Sequence, residues 1–259
     1  MYENPFFRHA FSHQKQSHHI LIRKEWLKMP TYLDLLAQLG VGGAHPGGFL
    51  LTKEIIELEI IPESAAVLDA GCGTGQTMQF LKSMIKDVKG LDPDPVMLQK
   101  AAKRLNDSSC LIKGSLEELP FKSRKFDYVF CESVLSFTDA ETSIKEAYRA
   151  LKEEGILLAI EIVKSESAEK LMAEEIEAFY GFKSLLTENE WINLFKNTGF
   201  TSITVKSQED FLIEENEPTT EFDMSENIPE TYFDMLAKHE SLREIFHRAV
   251  QFRIFRCVK

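Results

Sequence analysis

Residues 67–75, VLDAGCGTG, constrain this chain most, because an apolar strand pattern runs directly into three glycines at alternate positions. Gly71, Gly73 and Gly75 remove side chains where a backbone must turn sharply, adopt positive φ and lie close to a ligand. Asp69 adds a carboxylate at the carboxyl end of the strand. The pattern therefore predicts a ligand-binding turn between a buried strand and a helix.

The chain on both sides of this turn alternates strand patterns with helix patterns. This order is typical of right-handed βαβ units, which build a parallel sheet, so we expect an α/β core over 63–163. The apolar runs that predict its strands are 65–70, 88–91, 111–112, 126–131 and 156–163.

The N-terminal segment, 1–62, predicts a helical cap. Its pattern is helical from about residue 17 to residue 39, with a break at Pro30 and a new helix capped by Thr31. A glycine-rich link, 42–48, precedes another short helix.

The C-terminal segment, 164–259, combines helical patterns at 166–180 and 188–196 with strand patterns at 201–206 and 252–258. An acidic stretch at 209–230 contains two prolines and predicts a long loop. The sequence leaves open whether this loop is a solvated surface segment or an active-site lid. We expect the segment to complete the core and to form a substrate pocket.

The composition favours a small-molecule ligand. The formal net charge of −11 disfavours nucleic acid and anionic membranes, which require a basic surface. The four cysteines form no CxxC pair and no zinc-like spacing with histidine, so we expect reduced thiols and no metal. Because the chain shows neither an apolar signal core nor a membrane-length apolar run, we expect a cytoplasmic protein.

A second carboxylate follows the second predicted strand. Asp92 comes about twenty residues after the first glycine, where an acceptor for ribose hydroxyls is needed in nucleotide-binding α/β folds. Alone, Asp92 is equally typical of a turn or of a helix cap, since the sequence Pro93-Asp94-Pro95 begins a helix.

The glycine spacing distinguishes between two ligand classes. A dinucleotide fold requires GxGxxG, which sets a helix N-terminus against a pyrophosphate. This chain has GxGxG, with Gln76 where that pattern needs a small residue. The spacing therefore favours a ligand without a phosphate.

The motif VLDAGCGTG resembles the first motif of the class I S-adenosyl-L-methionine (SAM) dependent methyltransferases. The segments GLDPDPVML, KGSLEELPF, FDYVFC and YRALKEEG are similar to further motifs of that family. The resemblance spans 67–161 and implies a Rossmann-like, doubly wound sheet of seven mostly parallel strands with an antiparallel last strand. It also implies SAM as the cofactor. The cofactor-binding residues that it implies are Asp69, Gly71, Cys72, Gly73, Gly75, Asp92, Pro93, Ser115, Leu116 and Cys131.

Two segments depart from the family pattern. Ser115 stands where the family usually has an aspartate beside the adenine, so its hydroxyl or the Leu116 amide would have to serve there. Glu153 and Glu154 replace a proline and a glycine, which affects a turn and not the chemistry.

Methyl transfer to an oxygen or carbon acceptor needs a base if the acceptor must lose a proton. The candidates are His45, in the sequence GGAHPGGF, and Glu132, which follows the fourth predicted strand. His45 is equally compatible with a surface turn, and Glu132 with a solvated strand end. The aromatic residues that could line an acceptor pocket, or could instead belong to the core, are Tyr32, Phe49, Phe137 and Tyr180.

The leading hypothesis is a SAM-dependent methyltransferase of a small-molecule acceptor, acting as a monomer or homodimer. One alternative is an NAD(P)-dependent oxidoreductase, which shares the strand-loop-helix plan but predicts a sheet without an antiparallel last strand. Another alternative is a SAM-binding regulatory protein without catalysis.

Overall fold

A computed structural model describes residues 30–211 and 221–259. The predicted helical stretch before Pro30 lies outside these ranges. Within them, the α/β architecture expected from the sequence is confirmed.

A seven-stranded sheet forms the centre of the molecule, in the order β3-β2-β1-β4-β5-β7-β6. β7 is antiparallel to both of its neighbours, while the pairs formed by β1 to β5 are parallel. The strand order reverses beside β1, and ligands of open α/β sheets bind in the crevice at such a point. The strands are β1 (Ala66–Ala70), β2 (Asp87–Asp92), β3 (Leu111–Lys113), β4 (Phe126–Glu132), β5 (Leu151–Lys164), β6 (Ser202–Lys206) and β7 (Val250–Val258).

Helices cover both faces of the sheet. Thr31 caps α1 as the sequence predicts: its hydroxyl accepts from the Asp34 amide, and the Asp34 carboxylate accepts from the Thr31 amide. The helices are α1 (Tyr32–Leu39), α2 (Gly48–Glu59), α3 (Gln76–Lys82), α4 (Pro95–Leu105), α5 (Ala140–Ala150), α6 (Lys170–Tyr180), α7 (Glu188–Thr198) and α8 (Glu230–Ala249).

Two elements differ from the sequence-based expectation. The turn expected at Glu153 and Glu154 is part of β5, with Glu154 at a φ of 60° and a shift of register between Phe126 and Tyr128 of β4. α8 was not predicted, because its apolar residues are spread around the helix axis and give no clear stripe.

The sheet separates two apolar layers. Leu68, Ala70 and Cys131 belong to the layer shared with α5 and α7, whereas Val67 and Phe130 belong to the layer shared with α2 and α3. Successive side chains of a strand point to opposite faces. This alternation decides which strand-end residues meet which helices.

None of the helices in the described ranges has the length and apolar character needed to span a bilayer.

Candidate active site

The glycine loop follows β1 directly, and α3 begins at its end. Gly71 has a φ of 81°, and a Cβ at this position would lie 2.3 Å from Val134 Cγ2. Gly73 has a φ of 51°, but a Cβ there would meet only Met97 Sδ, at 4.0 Å. The loop is therefore tightly packed at Gly71 and has an open side at Gly73, where a ligand can approach the backbone.

Asp92 lies beside this open side, at the end of β2. Its carboxylate accepts hydrogen bonds from the Gly73 amide (2.9 Å) and the Asp94 amide (2.8 Å). Burial raises the pKa of Asp92, and these two bonds oppose that rise. Pro93, the next residue, is exposed.

Asp69 is 2% exposed, and no group in the described part of the chain donates a hydrogen bond to its Oδ2. Burial raises its pKa well above the usual range, and the nearby carboxylates of Glu132 and Asp92 raise it further. The hydroxyls of Thr74 and Ser133 are also buried without a hydrogen-bond partner among the described residues. Unpaired buried polar atoms are rare in folded proteins and call for a specific explanation. A polar ligand group that binds beside the glycine loop is such an explanation.

Glu132 is the last residue of β4 and has the same parity as Phe130, so its side chain points toward α2 and α3. The Thr77 hydroxyl, in the first turn of α3, donates to Glu132 Oε2 at 2.6 Å. The Thr52 hydroxyl, in α2, donates to Glu132 Oε1. Three elements therefore hold one carboxylate at the carboxyl edge of the sheet.

His45 is buried and does not lie in a surface turn. Its Nε2 is 3.6 Å from Glu132 Oε1 and 3.0 Å from the Thr52 hydroxyl oxygen, and its Nδ1 is 3.1 Å from the Pro46 carbonyl oxygen. The link 42–48 carries His45 onto the glycine loop, since a Cβ on Gly42 would lie 3.5 Å from the Thr74 hydroxyl oxygen. The two base candidates thus meet, although 87 positions separate them in the sequence.

Two residues near the carboxyl end of β4, Ser133 in the loop after it and Glu161 in the neighbouring β5, were not among the site residues predicted from the sequence. Ser133 has a φ of 55°, which is uncommon outside glycine, and its amide donates to the Ile160 carbonyl at 2.7 Å. Glu161, fully buried in β5, accepts from the amides of Val134 (3.0 Å), Leu135 (2.8 Å) and Ser136 (3.1 Å), and from the Ser136 hydroxyl (2.7 Å). These bonds fix the loop whose Val134 lies against Gly71. A sequence signal existed, since a lone glutamate in an apolar strand needs buried partners.

Of the remaining residues expected at the cofactor site, Cys72 follows β1, Ser115 and Leu116 follow β3, and Cys131 lies near the end of β4. Cys72 and Leu116 are buried, and Cys131, fully buried, belongs to the layer opposite Glu132. Burial raises the pKa of the Cys72 and Cys131 thiols well above the usual range. The Ser115 hydroxyl accepts from the Glu117 amide at 3.1 Å and so belongs to a local turn.

The aromatic candidates divide into two places. Tyr32 and Tyr180 contact each other edge to face, with ring centroids 4.7 Å apart. Phe182 links Tyr180 (5.4 Å) to Phe137 (4.9 Å) beyond the carboxyl end of β4. Phe49 lies apart from them, against Phe80 at 5.9 Å.

Comparison with known proteins decides the family. The model of the methyltransferase domain family matches residues 68–159. An uncharacterised methyltransferase of Bacillus subtilis (strain 168), YodH, is 38% identical over 232 residues, which cover 88% of this chain and 98% of that protein. This chain belongs to the class I SAM-dependent methyltransferases. This chain is also similar to demethylmenaquinone methyltransferase of Thermotoga maritima. The two are 33% identical over 133 residues, which cover 49% of this chain and 56% of that protein.

Solved structures share the fold of this methyltransferase. Phosphoethanolamine N-methyltransferase 2 of Haemonchus contortus, in complex with phosphomonomethylethanolamine and S-adenosylhomocysteine, has a TM-score of 0.68 at 20% identity, covering 87% of this chain and 57% of that one. The same enzyme is also known in complex with SAM. The methyltransferase described here uses SAM as its cofactor and transfers the methyl group. The oxidoreductase alternative is wrong, because it predicts a sheet without the antiparallel last strand that β7 forms.

Proposed function

We propose that this methyltransferase acts on a small-molecule acceptor whose nucleophilic atom gives up a proton, and that Glu132 receives that proton. The observation that carries the proposal is the position of the Glu132 carboxylate. It lies at the carboxyl end of β4, beside the glycine loop, and hydroxyls from α2 and α3 hold it there.

The residues beside the glycine loop fit SAM. Asp92 would accept the ribose hydroxyls, since its carboxylate lies at the open side of Gly73. Asp69, Thr74 and Ser133 offer unpaired buried oxygens to the ammonium group of the methionine part. Leu116, on the loop after β3, would flank the adenine. The backbone of Gly71, Cys72, Gly75, Pro93, Ser115 and Cys131 would complete the site.

When bound, SAM supplies a sulfonium methyl group that an in-line nucleophile can take. The protein's own contribution is to orient the acceptor and to remove its proton. Holding two reactants in line supplies about 7–11 kcal/mol in favourable systems, and a positioned base supplies about 10²–10⁴-fold in rate. Glu132 is the base in this proposal. Its two carboxylate oxygens can each accept a further hydrogen bond beside those from Thr52 and Thr77, whereas both ring nitrogens of His45 already have partners within the protein.

The acceptor site is proposed to lie between the cap, 1–62, and the C-terminal segment, 164–259, above the core at 63–163. A cleft of about 420 Å³ lies at the end of β5 and extends from Lys164 to Thr187. Its volume suits a small molecule. Because Glu132 pairs with Ile160 and β5 runs on to Lys164, the cleft begins about 13 Å beyond the base, so it can hold only the far end of an acceptor whose nucleophilic atom lies at Glu132. The contacting aromatic rings of Phe137, Phe182 and Tyr180 favour an acceptor with an aromatic ring.

Three properties stay predictions from the sequence: a cytoplasmic location, a monomer or homodimer, and no nucleic-acid partner.

The test combines calorimetry with an acceptor panel. We expect the protein to bind SAM and S-adenosylhomocysteine and to methylate members of a panel of hydroquinones, phenols, thiols and amines. The hydroquinones are included because the Thermotoga relative is named for demethylmenaquinone. In the Glu132→Gln variant we expect S-adenosylhomocysteine affinity within a few-fold of wild type, but turnover reduced by about 10²–10⁴-fold.

Glu141→Gln is the matched control, since Glu141 is an exposed glutamate of α5 that pairs with the exposed Lys145. It should leave both quantities unchanged. Full turnover by Glu132→Gln would exclude the base role, and folded protein that binds no cofactor would exclude the proposed site.

A further inference from the structure

Four polar groups from three parts of the chain form one continuous hydrogen-bonded line next to the glycine loop. The Pro46 carbonyl contacts His45 Nδ1 at 3.1 Å, and His45 Nε2 contacts the Thr52 hydroxyl at 3.0 Å. The same hydroxyl contacts Glu132 Oε1. Thr52 is 1% exposed and His45 9%, so water contributes little to this line.

The number of protons in the line follows from the chemistry of each contact. A carbonyl oxygen only accepts, so His45 Nδ1 must carry a proton to bond to Pro46. Thr52 has a single hydroxyl proton, which can go to His45 Nε2 or to Glu132, but not to both. In the other of these two contacts, the Thr52 oxygen must accept a proton that is bound to His45 or to Glu132.

Two arrangements satisfy every contact. In the first, His45 carries protons on both ring nitrogens, and Thr52 donates to a Glu132 carboxylate. In the second, His45 carries only its Nδ1 proton, Thr52 donates to Nε2, and a protonated Glu132 donates to Thr52. They differ by the movement of two protons, each across one hydrogen bond, and both contain one proton more than a neutral imidazole, a hydroxyl and a carboxylate.

Before the reaction the line lacks that additional proton, and the charged and titratable groups around Glu132 come from several elements. Asp69, on β1, is close enough for its charge and that of Glu132 to interact unfavourably. Asp92, on β2, interacts with Asp69 in the same way. His45, on the link, is the basic group that the described residues bring to Glu132, with Nε2 3.6 Å from Oε1. Thr77, on α3, donates to Oε2 and leaves the proton count unchanged.

We propose that Thr52 is a positioning residue of methyl transfer, which joins Glu132 and His45 into one unit that stores the proton removed from the acceptor. This inference rests on the proposed function of Glu132. The acceptor loses its proton to Glu132 as its lone pair bonds to the methyl carbon and the carbon–sulfur bond breaks toward sulfur. The proton of Thr52 then passes to His45 Nε2, while Thr52 takes the proton from Glu132. The products are the methylated acceptor, the neutral thioether and a proton held on His45.

The experiment is nuclear magnetic resonance of protein labelled with ¹⁵N in its histidine rings, recorded from neutral to mildly acidic pH, with and without saturating S-adenosylhomocysteine. The resonances of His45 are assigned by their loss in His45→Gln. In the wild-type protein at neutral pH we expect His45 Nδ1 to be protonated and Nε2 to be unprotonated. As the pH is lowered and the line takes up one proton, the Nε2 resonance should move toward its protonated position. In Glu132→Gln the amide can donate to Thr52 without an additional proton. The Nε2 resonance should therefore stay closer to its unprotonated position over the same pH range, while Nδ1 keeps its proton.

Three further variants separate proton sharing from packing. Thr52→Val has nearly the same shape without the hydroxyl and should move the His45 resonances, and Thr52→Ser should restore them. Thr77→Val removes the other hydroxyl on Glu132, which does not touch His45, and should leave the His45 resonances in place.

A neutral His45 with its proton on Nε2, or His45 resonances that are identical in wild type and Thr52→Val, would overturn the proposal. Failure of the wild-type protein to bind S-adenosylhomocysteine in calorimetry would contradict the proposed function instead. The spectrum of the free protein would still test the shared proton.

Discussion

At the residue scale, two consecutive residues of β4, Cys131 and Glu132, have different surroundings. Cys131 points into the apolar layer beneath α5, while Glu132 points toward the polar groups of α2 and α3. A strand alternates its faces, so neighbouring residues at its end serve the core and the site respectively. Asp92 has two roles at the end of β2. Its carboxylate accepts a hydrogen bond from the Gly73 amide and also faces the side of the loop where the ligand would bind.

Asp92 carries the first prediction at this scale. In Asp92→Asn, we expect the affinity for S-adenosylhomocysteine to fall by about 10–100-fold, because hydrogen bonds to a charged group contribute about 1.5–3 kcal/mol. Isothermal calorimetry measures the change. Asp94→Asn is the control, since asparagine can still cap α4 in place of Asp94 and should keep wild-type affinity. Equal affinities in wild type and Asp92→Asn would remove Asp92 from the ribose site.

At the element scale, residues 221–225 form a strap across the molecule. The strap pairs with the end of α1, where Val41 and Phe222 form a β-bridge and the Gly42 amide donates to the Glu221 carbonyl at 2.8 Å. Basic side chains of α4 hold its other side, with Lys103 2.8 Å from the Asp223 carboxylate. Residues 221–225 of the acidic stretch are therefore docked against the protein.

Arg104 connects this strap to the cofactor loop. Its Nε donates to the Thr74 carbonyl at 2.9 Å, and its Nη1 pairs with Glu221. Since the Arg104 side chain is only 14% exposed, the contact with Thr74 is sheltered from water. We infer that Arg104 fixes the glycine loop and the strap relative to each other.

The prediction at this scale concerns Arg104→Gln. We expect S-adenosylhomocysteine affinity to fall by about 5–20-fold, because the loss of one charged hydrogen bond to the loop costs about 1–2 kcal/mol. Lys103→Gln is the control: Lys103 is 73% exposed, and an exposed ion pair contributes at most about 1 kcal/mol. Calorimetry measures the affinity of both variants. If both substitutions lower the affinity equally, the contact of Arg104 with Thr74 makes no separate contribution to cofactor binding.

At the scale of the whole molecule, Glu161 links pH to stability. Burial raises its pKa to about 7, against the opposing effect of four hydrogen bonds from Val134, Leu135 and Ser136. The folded-state pKa lies above the unfolded value of about 4.3, so the folded protein binds the proton more tightly. The stabilisation is complete below the unfolded pKa and is lost as the pH rises through about 7.

We therefore expect the free energy of unfolding to depend on pH through Glu161. Between pH 5 and pH 8, the fall in stability should be about 2–3 kcal/mol smaller in Glu161→Gln than in wild type, because glutamine does not ionise. Urea denaturation at the two pH values measures this difference. Carboxylates with lowered pKa values, such as Asp127 and Glu146, lose their stabilising effect only at more acidic pH. Parallel pH dependence in the two proteins would contradict the assignment.

Much of the fold could be predicted because its signals are local. The glycine loop, the capping of α1 by Thr31 and the apolar strands each depend on residues close together in the chain. α8 was not predicted, because it has no clear apolar stripe of its own. Its position depends on packing against α1 and α6, which are distant in the sequence. His45 and Glu132 were predicted separately, but their contact and the role of Thr52 were not, since no local pattern relates positions so far apart.

The sequence by itself determined the fold class and the methyl donor, because glycine spacing and carboxylates at strand ends act through the backbone next to them. The tertiary structure decided which groups surround the reacting centre. It buried His45, joined Thr52 to Glu132, left Asp69 without a partner at Oδ2 and placed Glu161 under the loop after β4. These are contacts between distant elements, which form only when the packed sheet brings the ends of its strands to one edge.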